Sequence, residues 1–403
     1  METIRIAATA LRAHKLRSFL TLLGVIIGVM TIVAVVSVIS GLNNYIEEKV
    51  IQLNPDTYVI TQFGIITSRE QFLEAVKRKK LDWNDYVAVR DLCQECAAVA
   101  ANLSTRAAVK RGAERMTDVR VTGGTANMAD VTNIDLEAGR MFSRSEDEHS
   151  ALVTVIGSDV RDQLFGKLDP IGRTIWISSQ PMRVIGLVKK QGSILGNNQD
   201  NQLYVPLSTF RKQFGTRRSL SFFIKARGGV AGIEKSMDDV RVIIRSRRRT
   251  AFRSDDPFGL VSADAIQALW KNISAATFSV VALISSISLI VGGIVIMNIM
   301  LVSVVERTRE IGIRRAMGAT RRNIGWQFLS EAVLLSLGGG MVGVLLGAII
   351  SLVIAEFSPL PTLVRPQLVM AGLGVAVVTG LIAGILPAMR AAKLPPVEAL
   401  RYE

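Results

Sequence analysis

At 403 residues, 49% hydrophobic and with a mean hydropathy of +0.35, the chain is too apolar for an ordinary soluble protein of two or three domains. The net charge of +14 suggests nucleic acid, but its distribution does not: residues 42–271 hold 34 Lys and Arg against 27 Asp and Glu. The remaining surplus sits in short segments beside long apolar runs, a pattern that favours a lipid bilayer and no nucleic-acid partner.

In chain order, Ile4–Arg17 reads as a basic amphipathic helix leading into the first charge-free run, Ser18–Ile46. Its apolar stretch exceeds the roughly 7–15 residues of a signal peptide core, so an uncleaved anchor is expected. Three more runs follow at Asn272–Val305, Ala332–Ala355 and Pro366–Met389. Each exceeds the about 20 residues that carry a helix across hydrocarbon, and helices satisfy their own backbone groups there.

Between the first two runs lies a mixed α/β segment. Strands are expected at Asp56–Gln62, Val99–Lys110, Thr117–Thr122, Leu152–Ile156, Thr174–Ile177, Arg183–Val188 and Leu220–Ala226, all rich in Val, Ile and Thr. Helices are expected after the caps Asp82, Ser158 and Ser208, and from Val230 to Arg248. Gln191–Asn201 reads as a loop, and the basic residues at 245–249 as a solvated face. Cys93 and Cys96 form a CxxC. A local disulfide leads, with two buried thiols or a redox pair as alternatives. With only His14 and His149 besides, no metal site is expected.

From Ala263 a helical pattern runs without proline past residue 305, longer than any bilayer requires, so a stalk at about 263–271 is expected to precede span 272–305. The arginines that follow the second span and flank both termini place those segments in the cytoplasm and the large domain outside. The spans carry small-xxx-small spacings at Gly24/Gly28, Gly339/Gly343/Gly347 and Gly380/Gly384, read as helix-packing sites. No Asp, Glu, Lys or Arg interrupts the four runs, which favours spans that relay motion over spans that line a polar pore.

The loop Glu306–Ile324 interleaves arginines with Ile311, Ile313, Ala316 and Met317, and Gly312 and Gly318 punctuate it. This segment resembles the MacB/FtsX/LolC-type (type VII) ABC transporter permeases. So do Leu11–Gly24, Val155–Gly157 with Leu164–Gly166, Asp169–Gly172 and Val184–Leu187, and the tail segments Pro387–Lys393 and Glu398–Glu403. The likeness is nearest to MacB-like efflux permeases without a fused ATPase domain. Two departures from the pattern are Leu394-Pro395-Pro396 and the Cys93/Cys96 pair.

The resemblance implies a four-span membrane protein with a mixed α/β periplasmic domain inserted between helices 1 and 2. A porter-like part covers about 47–130 and 219–262, and a β-rich subdomain about 131–218 is inserted in it. Residues 306–325 become a coupling helix, with Glu306, Arg307, Arg309, Glu310, Arg314, Arg315, Arg321 and Arg322 as ATPase contacts. Segments 1–17 and 390–403 would flank that contact. Partners implied are a second copy, a cytosolic ATPase, a periplasmic adaptor of the membrane-fusion type and an outer-membrane channel, in a cell inner membrane. ATP and Mg belong to the partner ATPase; the chain has no GxxxxGK[ST] loop and no catalytic constellation, so it is expected to bind no cofactor and catalyse nothing itself. Efflux is the leading reading, with lipoprotein release or control of a cell-wall hydrolase as alternatives.

Overall fold

The computed structural model describes residues 15–50, 55–194, 197–358, 360–396 and 399. The expected helix at Ile4–Arg17 falls outside these up to His14, as does all of Glu398–Glu403 except Ala399. Two compact units divide the chain: Ile46–Trp270, and the remainder with the long helices. The first helix, α1, runs Lys15–Val50.

The 46–270 unit is a mixed sheet with helices. In chain order it comprises β1 (Thr57–Thr61), α2 (Arg69–Lys77), α3 (Trp83–Leu92), β2 (Cys96–Arg111), β3 (Glu114–Gly124), α4 (Met128–Thr132), β4 (Leu136–Gly139), α5 (Arg144–Glu148) and β5 (Val153–Ile156). Then come α6 (Ser158–Leu164), β6 (Thr174–Ile177), β7 (Gln180–Val188), β8 (Ser193–Ile194), β9 (Asn197–Asn198), β10 (Gln202–Pro206), α7 (Leu207–Phe214), β11 (Ser221–Ala226), α8 (Ile233–Arg247) and β12 (Gly259–Ser262).

Ten strands form one sheet in the order β12-β1-β11-β2-β3-β10-β5-β7-β4, with β6 pairing β2 and β7. The hairpin β2–β3 turns on two residues, Arg111 opposing Glu114, and Gly112 supplies the positive φ of 59° at the first turn position. Strands from 131–218 extend the sheet of the flanking segments: β10 lies parallel to β3 and β6 antiparallel to β2. One buried cluster joins Tyr58, Ile60, Val99, Leu103, Phe222 and Ile224 to Val240 and Ile244 of α8. A second gathers Met128, Phe142, Val155, Ile185 and Tyr204.

Helix starts differ from expectation at two places. Asp82 caps α3 in a full capping box with Asp85. However, Gly157 rather than Ser158 precedes α6, and Pro206 rather than Ser208 precedes α7. The Ser208 hydroxyl donates instead to the Asp147 carbonyl. Residues 191–201 are not all loop, since β8 and β9 pair there. Cys93 and Cys96 are joined in a disulfide with Cα atoms 5.5 Å apart, linking the end of α3 to the start of β2. Between them, the amides of Gln94 and Glu95 donate to the Asp239 carboxylate of α8 at 2.8 and 3.2 Å.

The basic run at 245–249 is solvated only in part: Arg249 is exposed, while Arg245, Arg247 and Arg248 are paired. Arg248 donates to Asp85 at 2.6 Å, with side-chain exposures of 6% and 3%, and Arg247 reaches the other Asp85 oxygen at 2.9 Å. Arg245 binds Asp256 and the Ala251, Phe252 and Ser254 carbonyls. Burial pushes the Asp85 carboxyl up, but Arg248, the Asp82 amide and Arg247 outweigh it and hold it below the usual carboxylate range. Bonding to Arg140 likewise pulls Glu146 down to about 2.

Both groups titrate lower folded than unfolded. Their stabilisation is therefore full above the unfolded values near pH 4 and is lost as pH falls through the folded ones. Urea unfolding of the full chain at stepped pH should show stability falling between about pH 4 and 2. The slope should flatten in Asp85→Asn, and an unchanged slope would exclude this carboxylate as a source.

The other unit holds α1 up to Tyr45, α9 (Ala263–Glu306) from Lys271 onward, α10 (Thr308–Ala316), α11 (Arg321–Phe357) and α12 (Pro366–Lys393). α9 is one continuous helix of 44 residues, about 66 Å long. Segments of α1, α9, α11 and α12 are all long and apolar enough to cross a membrane.

Candidate functional site

The loop after the second span begins where α9 stops at Glu306. The Thr308 hydroxyl bonds the Val304 and Val305 carbonyls, and α10 starts anew. After α10, Gly318 turns the chain with φ of 99°, and Thr320 caps α11 by accepting from the Asn323 amide at 3.2 Å. The expected single docking segment Glu306–Ile324 is therefore a helix, a turn and the first turn of the third span's helix. Gly312 does not break α10; it sits buried inside it, where an added Cβ would lie 2.7 Å from the Ala399 Cβ.

The arginines divide by face. Arg307 reaches both oxygens of Glu331 on α11 at 3.1 Å, and that pair is mostly shielded. Arg315 donates to the carbonyls of Ala392 and Leu394 at 3.2 and 2.8 Å, at the closing end of α12. Arg314 bridges Gln327 at 2.8 Å and Glu310 one turn back. These three fasten α10 to its own bundle. Arg309, Ile313, Ala316 and Met317 recur at i, i+4, i+7 and i+8 and face outward, with Ile313 44% and Met317 78% exposed. Glu306, Arg321 and Arg322 are exposed as well.

The sequence reading named the arginines but missed that the exposed stripe is apolar at its centre. The i, i+4, i+8 spacing of Arg309, Ile313 and Met317 was the available signal. It also missed Glu331 as the partner of Arg307, because a contact across 24 residues leaves no local trace.

The glycines mark close helix approaches. Gly339, Gly343 and Gly347 on α11 receive Val25, Val29 and Val33 of α1, three side chains with no exposure. A Cβ on Gly24 would lie 2.7 Å from the Gly292 Cα of α9, and one on Gly28 2.8 Å from Leu289. Gly380 and Gly384 of α12 lie against Ser336 and Ala332 of α11. Among the described residues, no group of three or more His, Cys, Asp or Glu could hold a metal ion.

A family model described as the MacB-like periplasmic core domain matches residues 18–240, and one described as the FtsX-like permease C-terminal matches 282–396. The chain is 33% identical over its whole length to an uncharacterized ABC transporter permease, YknZ, of Bacillus subtilis, covering 99% of that protein. It is 34% identical to the macrolide export ATP-binding/permease protein MacB of Neisseria meningitidis, spanning 61% of that relative's length. The solved periplasmic region of MacB from Actinobacillus actinomycetemcomitans aligns at a TM-score of 0.47 and 20% identity, over 56% of this chain and 98% of that one. The chain belongs to the MacB/FtsX-type family of ABC transporter permeases and is a multi-pass membrane protein.

Proposed function

We propose that this chain is the membrane subunit that couples ATP hydrolysis on a separate cytosolic ATPase to movement of its 46–270 domain, driving efflux by mechanotransmission. The observation that carries the reading is the outward stripe Arg309, Ile313 and Met317 on a short helix whose opposite face is fastened to the spans. Exposed apolar side chains rimmed by arginine suit a protein partner better than water. α9 is one unbroken helix of 44 residues and follows β12 directly in sequence. The absence of any Asp, Glu, Lys or Arg from the described apolar runs 18–46, 272–305, 332–355 and 366–389 accords with a cargo that does not pass between them.

On this reading the coupling loop and both termini are cytoplasmic, the membrane is the inner one and the unit is a homodimer. An adaptor and an outer-membrane channel would complete it, and ATP and Mg would sit on the partner. The relative from Neisseria meningitidis is named for macrolide export, which favours efflux over lipoprotein release.

Ile313→Glu/Met317→Glu in proteoliposomes with the cognate ATPase should lower permease-dependent stimulation of ATP hydrolysis by about tenfold or more. The chain's thermal unfolding should stay within a degree or two. Undiminished stimulation would refute the docking assignment. Arg315→Glu is the wrong test, since that guanidinium holds α10 to α12.

A further inference from the structure

Between the first turns of α11 and the last turns of α12 runs a groove of about 260 Å³. Its α11 wall is Arg322, Gly325, Trp326 and Leu329, spaced i, i+3, i+4 and i+7 along one helix face. Ile385 and Met389 form the facing rim, each 49% exposed. A methyl group on Gly325 would meet only the Ala392 Cβ, at 4.0 Å, so the slot stays open between the backbones.

Polarity changes along this groove in one direction. Arg322 stands at its mouth, exposed, and Lys393 continues the Ile385–Met389 row by one turn at the same end of the antiparallel pair. Trp326, 58% exposed, comes next, and about 10 Å from Arg322 the walls are Leu329 and Ile385. No acidic residue lines the groove. A cation, then an indole, then an apolar slot follows the polarity of a phospholipid from phosphate through the interfacial region to the acyl chain.

We propose that this groove binds one anionic phospholipid in the leaflet on the side of the basic loop. Its phosphate lies on Arg322 and Lys393, its glycerol region beside Trp326, and one acyl chain between Leu329 and Ile385. Charge complementarity selects the headgroup, and the slot selects a lipid over a soluble anion, which has no use for apolar walls. The groove shares no residue with the Arg309–Met317 stripe, and its test does not depend on the coupling reading.

The test is native mass spectrometry of the full chain with phosphatidylglycerol or phosphatidylcholine of identical acyl chains. The wild-type chain should retain phosphatidylglycerol about tenfold better. Arg322→Ala/Lys393→Ala should bring the ratio to parity while some lipid still binds, and the milder Arg322→Gln should lower it part of the way. Gly325→Leu, filling the slot, should reduce retention of both lipids. Equal retention of the two lipids by the wild type, or an unaltered ratio in the double variant, would overturn the proposal. So would displacement of the lipid by inorganic phosphate, which would mark a soluble-anion site, or chain-to-chain cross-linking through Gly325→Cys, which would mark a second copy as the occupant. No ATPase enters the measurement, so its failure would leave the coupling reading standing.

Discussion

Arg248→Ala should destabilise the 46–270 domain by about 3–5 kcal/mol, measured in the full chain as a shift of its urea midpoint with Trp83 fluorescence as a local probe. The Asp85 carboxylate is 3% exposed and joins the N-terminus of α3 to the end of α8 through Arg248 and Arg247. Arg248 also donates to the carbonyls of Lys79, Lys80 and Pro257 at 2.9–3.0 Å. Removing it orphans one side of a buried charge and the part-buried Pro257 carbonyl, and Arg247, more exposed, compensates only in part. Arg249→Ala, one residue on and exposed, should stay within about 0.5 kcal/mol. Equal effects of the two substitutions would show the clamp to be energetically idle.

Gly343→Leu should prise α1 away from α11. A Cβ there would stand 2.8 Å from the Ile26 carbonyl and 3.0 Å from the Val29 Cβ, and neither a backbone atom nor a fully buried valine can yield far. Helices α1 and α11 must then part along the row where Val25, Val29 and Val33 seat on three glycines, at a cost of about 1–3 kcal/mol or more. The thermal unfolding midpoint in detergent should drop by several degrees. Gly338→Ala is the matched control, because a Cβ there meets nothing within 4 Å. If both variants melt together with the wild type, α1 does not depend on this seam.

The four spans and seven strands were legible because each relies on local pattern: length and apolarity for the spans, branched residues for the strands. What escaped depended on partners far along the chain. α2 exposes Phe72, Leu73 and Val76 and buries only Ala75, so it carries no inward apolar stripe. β10 is buried at all five residues and shows no alternation. The basic run at 245–249 looks like any surface cluster until Asp85, some 160 residues earlier, folds beneath it. At the candidate site, the loop itself was plain from its arginines. Which of them turn inward was not, because Glu331, Ala392 and Leu394 decide it and lie on later helices.

The inward arginines make α10 a cross-brace. Arg307 and Arg314 tie it to α11, Arg315 to the end of α12, and the chain itself to α9. Tilting the brace alone would therefore mean breaking charged bonds on two sides. The break in this brace is the turn at Gly318, whose positive φ lets the chain leave α10 for α11.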